Sequence, residues 1–400
     1  MAGRDDRVII VGAGPVGLVA ASFLAREGVP VTIVEASQDL PHDLRASTFH
    51  PPTLDMLERL GIVGDLIARG LVCPRWQFRD RREGVIATFD LGVLAADTRH
   101  PYRLQCEQWK LTESLRRVLA AEPQVEVVYG ARAQSVAQDD SSVSLTILRP
   151  DGSEDTLRGR YLVAADGARS AVRKALDIPF PGLTIPEIFL TMSTPFDFAA
   201  ALDDLTPIAY ITDPEEWAVL LRTPTLWRVL LPTDPGATEE EITAPATIER
   251  RLQGLVPNPA GYEIVHATAY RVHERVAERY RDGRVLLAGD AAHLNNPLGG
   301  MGMNGGIHDA VTLAGRLAEV WRGGADDGLD RYGRERRRVA VEAVQAQTLR
   351  NRRMMAERSP EARRSYHDEL RRTAENPEAH RAFLLRSSMI QSLRTSAEAA

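Results

Sequence analysis

Arg7-Val8-Ile9-Ile10-Val11-Gly12-Ala13-Gly14-Pro15-Val16-Gly17 leads into Leu18-Val19-Ala20-Ala21-Ser22-Phe23-Leu24-Ala25-Arg26-Glu27-Gly28, and then into Val31-Thr32-Ile33-Val34-Glu35. The first run opens with a short apolar strand. A Gly-x-Gly-x-x-Gly turn, an alanine- and leucine-rich helix closed by a glycine, a second strand and a terminal acid follow. In that context the glycines form the full dinucleotide-binding fingerprint. Gly12 permits the tight turn, Gly14 lets backbone approach a pyrophosphate, and Gly17 lets the helix pack closely on the sheet. The pyrophosphate sits at the positive end of the helix dipole. Glu35 accepts from a ribose 2′-hydroxyl, which favours an adenosine without a 2′-phosphate. The motif alone does not separate FAD from NAD.

Two later stretches repeat the strand-to-glycine theme. Val285-Leu286-Leu287-Ala288 stops at Gly289-Asp290, and the glycine-studded turn Asn295-Asn296-Pro297-Leu298-Gly299-Gly300-Met301-Gly302-Met303-Asn304 then precedes a buried helix. A strand that feeds a helix through exposed backbone N–H groups is built to hold something flat or anionic. Tyr161-Leu162-Val163-Ala164-Ala165 likewise ends at Asp166-Gly167, ahead of a helix with Ser170 near its start. Asp166 can tie down the N–H groups of its turn, and Arg173 offers a guanidinium to an anionic cofactor or an internal carboxylate. Arg45 sits in a loop before Pro51-Pro52, within reach of a phosphate or a flavin edge, with a solvated arginine as the competing reading. Gln105, at a strand-to-helix junction, can bond a ribityl chain or lie at the surface. His50 reads as a loop histidine, and Thr53 as the cap of a helix running to Leu60.

Four hundred residues exceed one comfortable core, so several domains are expected. The 44% apolar and 26% charged fractions are those of an ordinary globular chain, and a net charge of −6 argues against nucleic acid as the main partner. No apolar run reaches the roughly 18 residues of a spanning helix, and the N-terminus lacks a signal-peptide layout. Cys73 and Cys106 are too far apart for a metal knuckle or a CxxC pair, so no metal site and no disulfide framework are expected. These features point to a cytoplasmic protein. Residues 179–258 change character, with recurring prolines and alternating strands. Trp217–Arg222 and Leu226–Pro232 read as an antiparallel hairpin. Tyr210 and Arg222, at strand ends there, are candidate substrate contacts, each set against a solvated strand end. The charged helical tail breaks at Ser359-Pro360 and Asn376-Pro377 and suits a helical cap or a subunit-contact face.

Together and in this order, the Gly12–Glu35, Asp166–Arg173 and Gly289–Asn304 motifs resemble the single-component FAD-dependent aromatic hydroxylases, the family typified by p-hydroxybenzoate hydroxylase. The likeness covers about residues 7–320. It implies an α/β fold with a Rossmann-type FAD-binding domain (1–72, 98–178 and 265–325) and a mixed β-sheet substrate domain (73–97 and 179–264), to which the charged tail, read from its own residues, adds a helical C-terminal region (326–400). By the same resemblance Gly12, Gly14 and Glu35 hold the ADP half of FAD, and Arg45 and Gln105 contact the phosphates and ribityl chain. Asp290 bonds a ribityl hydroxyl and Pro297 lies beside the reactive flavin carbon. The backbone of Gly302, Met303 and Asn304 binds the pyrimidine edge of the ring. Asp166-Gly167 is linked to both FAD and reduced nicotinamide.

The family lacks a second dinucleotide-binding domain, so by the resemblance NADH or NADPH would bind transiently. The implied reaction is hydroxylation of a phenolic or N-heteroaromatic small molecule, with O₂ entering through a flavin C4a-hydroperoxide. In p-hydroxybenzoate hydroxylase a serine–arginine–tyrosine set on the middle sheet meets the substrate. Here only Arg222 falls on a comparable hairpin, so substrate identity does not transfer. His293 reads as structural rather than catalytic. Rival readings are an oxidase, reductase or Baeyer–Villiger-type oxygenase acting on a polyketide- or isoprenoid-like compound, and a non-catalytic binding module. The intact turn after Asp290 argues against the last. A homodimer is a further expectation.

Overall fold

The computed structural model describes residues 5–42 and 46–398. Val8–Val11, Val31–Val34, Tyr161–Ala164 and Val285–Leu287 are buried along their whole length and form the heart of a six-stranded sheet. They run parallel in the order 285–287, 161–164, 8–11, 31–34. Strands covered on both faces must be apolar at nearly every position, which is why they read as unbroken Val/Ile/Leu runs. Each motif turn leaves the same end of a neighbouring strand. The registers Val11↔Ala164 and Ala164↔Leu287 therefore bring Gly12, Asp166 and Gly289 together from distant parts of the chain. Gly17 has no room for a side chain, since a Cβ there would lie 1.9 Å from the Gly12 carbonyl oxygen.

The second sheet has eight strands, in the order His293–Leu294, His266–Val276, Gly182–Thr194, Trp227–Thr233, Ala218–Arg222, Ile208–Thr212, Arg75–Asp80, Gly84–Asp90. The hairpin expected from the sequence forms, with Val219↔Leu230 and Arg222↔Trp227 paired. His266–Val276 lies just beyond the boundary expected at residue 264, within the stretch assigned to the FAD-binding domain. It pairs along Gly182–Thr194 from Ser193↔His266 to Gly182↔Arg275, so the second sheet extends to Val276. Its mixture of charged and apolar positions suits a strand with one solvated face, not a buried parallel one.

One face of this sheet packs on Ile248 and Leu252 of the helix Pro245–Leu255. The other carries Trp76, Phe78 and Tyr210 and is covered by Met355, Tyr366, Leu370, Leu384 and Ile390 from the tail. The tail helices Pro360–Glu375 and Pro377–Ser387 begin at the two expected breaks. The Ser359 hydroxyl and the Asn376 side chain accept from the Ala362 and Ala379 N–H groups, ahead of a proline that suits a first turn. The tail is thus part of a core.

One local expectation shifts. The helix Pro51–Glu58 begins at the prolines, and Thr53 bonds His308 Nε2 at 2.9 Å instead of capping. His50 sits in the loop before that helix, as expected, and is fully buried there. Cys73 and Cys106 are free and buried, and burial pushes both thiols up to about 12. Among the described residues no helix is long and apolar enough to cross a membrane.

Candidate active site

The Gly12 turn, at φ 103°, presses on the Asp166 turn, where an added Cβ would meet the Ala165 carbonyl oxygen at 2.4 Å. Gly14 faces the other way, with no atom within 4 Å of its Cβ position. The helix Pro15–Arg26 has no capping side chain, so its first N–H groups point into that space. Glu35 is fixed at the edge, accepting from the N–H groups of Ala13 and Ser37, each at 2.8 Å. Asp166 Oδ2 accepts from the Val172 N–H at 3.2 Å, while Oδ1 is buried without a partner. Burial pushes this carboxyl up, against hydrogen bonds from Ser170 and Val172. Arg173 takes no internal carboxylate as a hydrogen-bond partner among the described residues. It donates to the carbonyls of Ala291 (2.8 Å) and Ala168 (2.9 Å) and so ties the Asp166 turn to the Gly289 turn. Asp290 is exposed where that second turn begins.

Gln105 is wholly buried. The Ser47 hydroxyl donates to its Oε1 at 3.1 Å and its Nε2 donates to Thr48 Oγ1 at 2.9 Å, so the amide organises the strand facing the cradle. Arg45 lies outside the described residues.

The glycine turn is braced from several sides. The Pro297 carbonyl accepts from the Gly300 N–H at 2.9 Å. The Asn296 N–H donates to buried Glu274 at 3.0 Å, and Asn296 Oδ1 accepts from the Leu298 N–H at 3.0 Å. Burial, with Arg103 next in effect, holds the His50 ring well below its usual pKa. The neutral ring bonds the Gly299 carbonyl through Nε2 at 2.8 Å. Asn304 accepts from the His50 N–H at 2.9 Å and donates to the carbonyls of Thr48 (2.8 Å) and Gly300 (2.7 Å). Its side chain is therefore a buckle. What it shares with Gly302 and Met303 is backbone N–H at the start of the uncapped helix Gly302–Trp321.

Under the turn, fully buried Asp309 accepts from the Gly289 N–H (3.0 Å), His293 Nε2 (2.7 Å) and Arg336 Nε (2.6 Å). Burial alone would raise this carboxyl, but Arg336 and His293 outweigh it and hold the pKa at about 2. His293 thus serves Asp309. Arg336 comes from the charged tail, where the sequence showed only a cluster of arginines.

Opposite the Gly299–Met301 turn, Trp76, Phe78, Tyr210, Phe383 and Arg103 enclose a small cavity. Trp76 lies 5.3 Å from Phe78, 5.6 Å from Tyr210 and 5.9 Å from Phe383 between ring centroids. Tyr210 is therefore in the wall of that cavity. Arg222 is not. The pairing Arg222↔Trp227 puts it on the opposite face of the sheet, with its guanidinium 5.6 Å from the Trp227 ring. Strand alternation is the reason: the neighbouring Leu221 packs toward the aromatic cluster instead. Arg103 and the tail residue Phe383 were missed. Arg103 stands two residues before Gln105 on one strand and so shares its face, a signal the sequence did carry.

Residues 5–347 match the family model described as "FAD binding domain". The chain is 37% identical over 363 residues to para-nitrophenol 4-monooxygenase of Pseudomonas sp. (strain WBC-3), covering 90% of this chain and 89% of that one. It belongs to the FAD-dependent aromatic hydroxylases. Identity to 6-hydroxy-3-succinoylpyridine 3-monooxygenase of Pseudomonas putida is 36% over 359 residues, or 89% and 90% of the two chains. The crystal structure of p-nitrophenol 4-monooxygenase from Pseudomonas putida matches with a TM-score of 0.90 at 33% identity, over 95% of this chain and 96% of that one. Aklavinone-11 hydroxylase, solved with FAD and aklavinone, matches with a TM-score of 0.78 at 31% identity, over 89% and 70% of the two chains. The hydroxylase is an FAD-dependent aromatic monooxygenase. Its residues fit that cofactor: open space at Gly14, two uncapped helix starts facing the ligand region, and an unpartnered Asp166 oxygen.

Proposed function

We propose that this hydroxylase oxygenates a small phenolic or N-heteroaromatic ring held between the Pro297–Met301 turn and the aromatic cavity. NADH or NADPH acts as transient reductant and O₂ as co-substrate. One observation carries the reading: an aromatic-walled cavity opens directly against the braced glycine turn of an FAD-binding fold. The relatives named for a nitrophenol and a hydroxypyridine support the same substrate class.

Bound FAD supplies the redox chemistry, taking electrons from the nicotinamide and activating O₂. The protein's part is positioning and exclusion. Gly12, Gly14 and Gly17 let the pyrophosphate approach the helix start, and Glu35 takes the ribose. Asp166 and Asp290 offer carboxylates to the cofactor's hydroxyl groups, and Gln105 shapes the facing strand. The backbone N–H groups of Gly302, Met303 and Asn304 receive the polar edge of the flavin ring. Pro297 would lie beside the ring, offering no donor of its own. Trp76, Phe78 and Phe383 keep water from the reacting ring, and the Tyr210 hydroxyl reaches a polar substituent. A cytoplasmic location belongs to this proposal, because two free, buried thiols suit a reducing compartment.

The test is NAD(P)H consumption by the purified yellow protein against a panel of phenols and hydroxypyridines, with isotopically labelled O₂. Substrate-stimulated consumption and label in the product are expected. Consumption without label in any product would overturn the reading in favour of an oxidase.

A further inference from the structure

We infer that Arg103 is the anion-binding group of the substrate cavity, and that the substrate is an aromatic oxyanion, either a phenolate or a ring carboxylate. This rests on the function proposed above and narrows it. Arg103 is 2% exposed, and its Nε and Nη1 have no hydrogen-bond partner. No carboxylate among the described residues pairs with it. The other buried arginines among the described residues each donate at least one hydrogen bond: Arg336 to Asp309, Arg173 to two carbonyls, Arg79 to Gln77 and the Asp203 carbonyl, and Arg228 to the Ser47 hydroxyl.

The titratable groups that sense Arg103 offer no counter-charge. His50 is held neutral by burial, and the Cys73 thiol is pushed up to about 12. The guanidinium carbon lies 4.7 Å from the centroid of the Trp76 ring, which fixes the cation at the wall. Among the residues described as lining the cavity, Arg103 carries the only charge.

A buried cation without a partner is costly in an apolar site. It is a defect in the empty protein that a ligand can repair. The planar guanidinium fork can donate two parallel hydrogen bonds to a carboxylate, or two converging ones to the single oxygen of a phenolate. The hairpin face where the sequence suggested an arginine carries Val219, Leu221 and Leu230 toward this side, so the cation enters from the cofactor domain instead.

The experiment titrates holoenzyme, followed by flavin absorbance, with 4-hydroxybenzoate and its uncharged amide, and with 4-nitrophenol above and below its own pKa. The wild type should prefer the anion of at least one pair. A preference for the carboxylate identifies a ring carboxylate as the group bound at Arg103, and a preference for ionised nitrophenol identifies the phenolate. Arg103→Met should weaken binding of the preferred anion roughly thirtyfold or more, as expected for loss of one partner of a buried charge pair, with the neutral probe little changed.

Arg103→Lys should recover part of the loss. The ligand-free Arg103→Met protein should also melt higher than wild type, because an uncompensated buried charge is replaced by apolar volume. An anion preference that survives Arg103→Met, or equal losses for anion and neutral probe, overturns the assignment and leaves the hydroxylase reading intact. If wild-type holoenzyme binds none of the phenols, the reading beneath the assignment falls, and the assignment with it.

Discussion

Arg336→Met should destabilise the hydroxylase by about 3–5 kcal/mol, the usual result of removing one partner of a buried ion pair. Asp309 is fully buried, Arg336 is 3% exposed, and the contact is 2.6 Å. At an effective dielectric near 20 the attraction at that distance is about 6 kcal/mol, most of which offsets the desolvation of the two ions. Deleting the arginine leaves the desolvated carboxylate behind, so the loss exceeds the net value of the pair. The pH dependence sharpens the test. In the wild type the Asp309 pKa is lowered to about 2, so its contribution is present above the unfolded carboxylate range and is lost as pH falls toward 2.

Without Arg336 the Asp309 carboxylate takes up a proton more easily, and the deficit against wild type should shrink below about pH 4. Urea unfolding of the apoprotein near neutral pH and in acid measures both quantities. FAD dissociation, followed by fluorescence, should accelerate, because Asp309 also holds the Gly289 N–H. The double variant Arg336→Met/Asp309→Leu should regain much of the stability, since an apolar replacement of a buried pair is often tolerated. A deficit below about 1 kcal/mol, or one independent of pH, would refute the claim that a tail arginine holds the cofactor turn.

Asp290→Ala should leave the chain folded but cost about 1.5–3 kcal/mol of FAD binding, or roughly 10- to 150-fold in Kd, measured by titrating apoprotein with FAD. Arg222→Ala should leave the KM for the preferred phenol unchanged because its side chain lies on the far face of the sheet, whereas Tyr210→Phe should raise it roughly fivefold through loss of one hydroxyl contact. His308, buried and bonded to Thr53, has its pKa lowered to about 3, so below the ordinary histidine value the unfolded chain binds a proton that the fold refuses. Stability should therefore fall by up to about 1.4 kcal/mol per pH unit through that window, and His308→Gln should flatten this acid limb in urea midpoints taken at stepped pH.

The cofactor half of the hydroxylase was legible because its signals are local. Val8–Val11 and Gly12–Gly17 are contiguous, and a buried parallel strand advertises itself as an apolar run. The substrate half was not, for two physical reasons. Register decides which face a side chain takes, and one step along the strand separates Leu221 toward the aromatics from Arg222 away from them. Burial of long polar side chains is also set by distant partners. Arg336 in a charged helix is indistinguishable in sequence from its solvated neighbours until Asp309 is brought beneath it. Asn304 shows a subtler limit, since its place in the turn was read while its side chain proved to brace His50 and Gly300.

The tail changes how the two halves depend on each other. The described residues of the cofactor cradle, with Asp309 and Arg336, fall within the 5–347 span of the family model. Phe383, which stacks on Phe89 at 4.4 Å and on Trp76 at 5.9 Å, lies beyond it in the helix Pro377–Ser387. One continuous helical path from Asp327 to Met355 leads from the first toward the second, fixed to the flavin turn through Arg336 and to the Leu298 carbonyl through Asn351, and the helix Pro360–Glu375 completes the connection. Changes in the roof helices can therefore alter the ring that fits without touching the FAD contacts. Changes at the first turns of that path act on cofactor and substrate together. Phe383→Ala should accordingly weaken phenol binding while FAD affinity holds, because the aromatic wall loses one member and the cradle none.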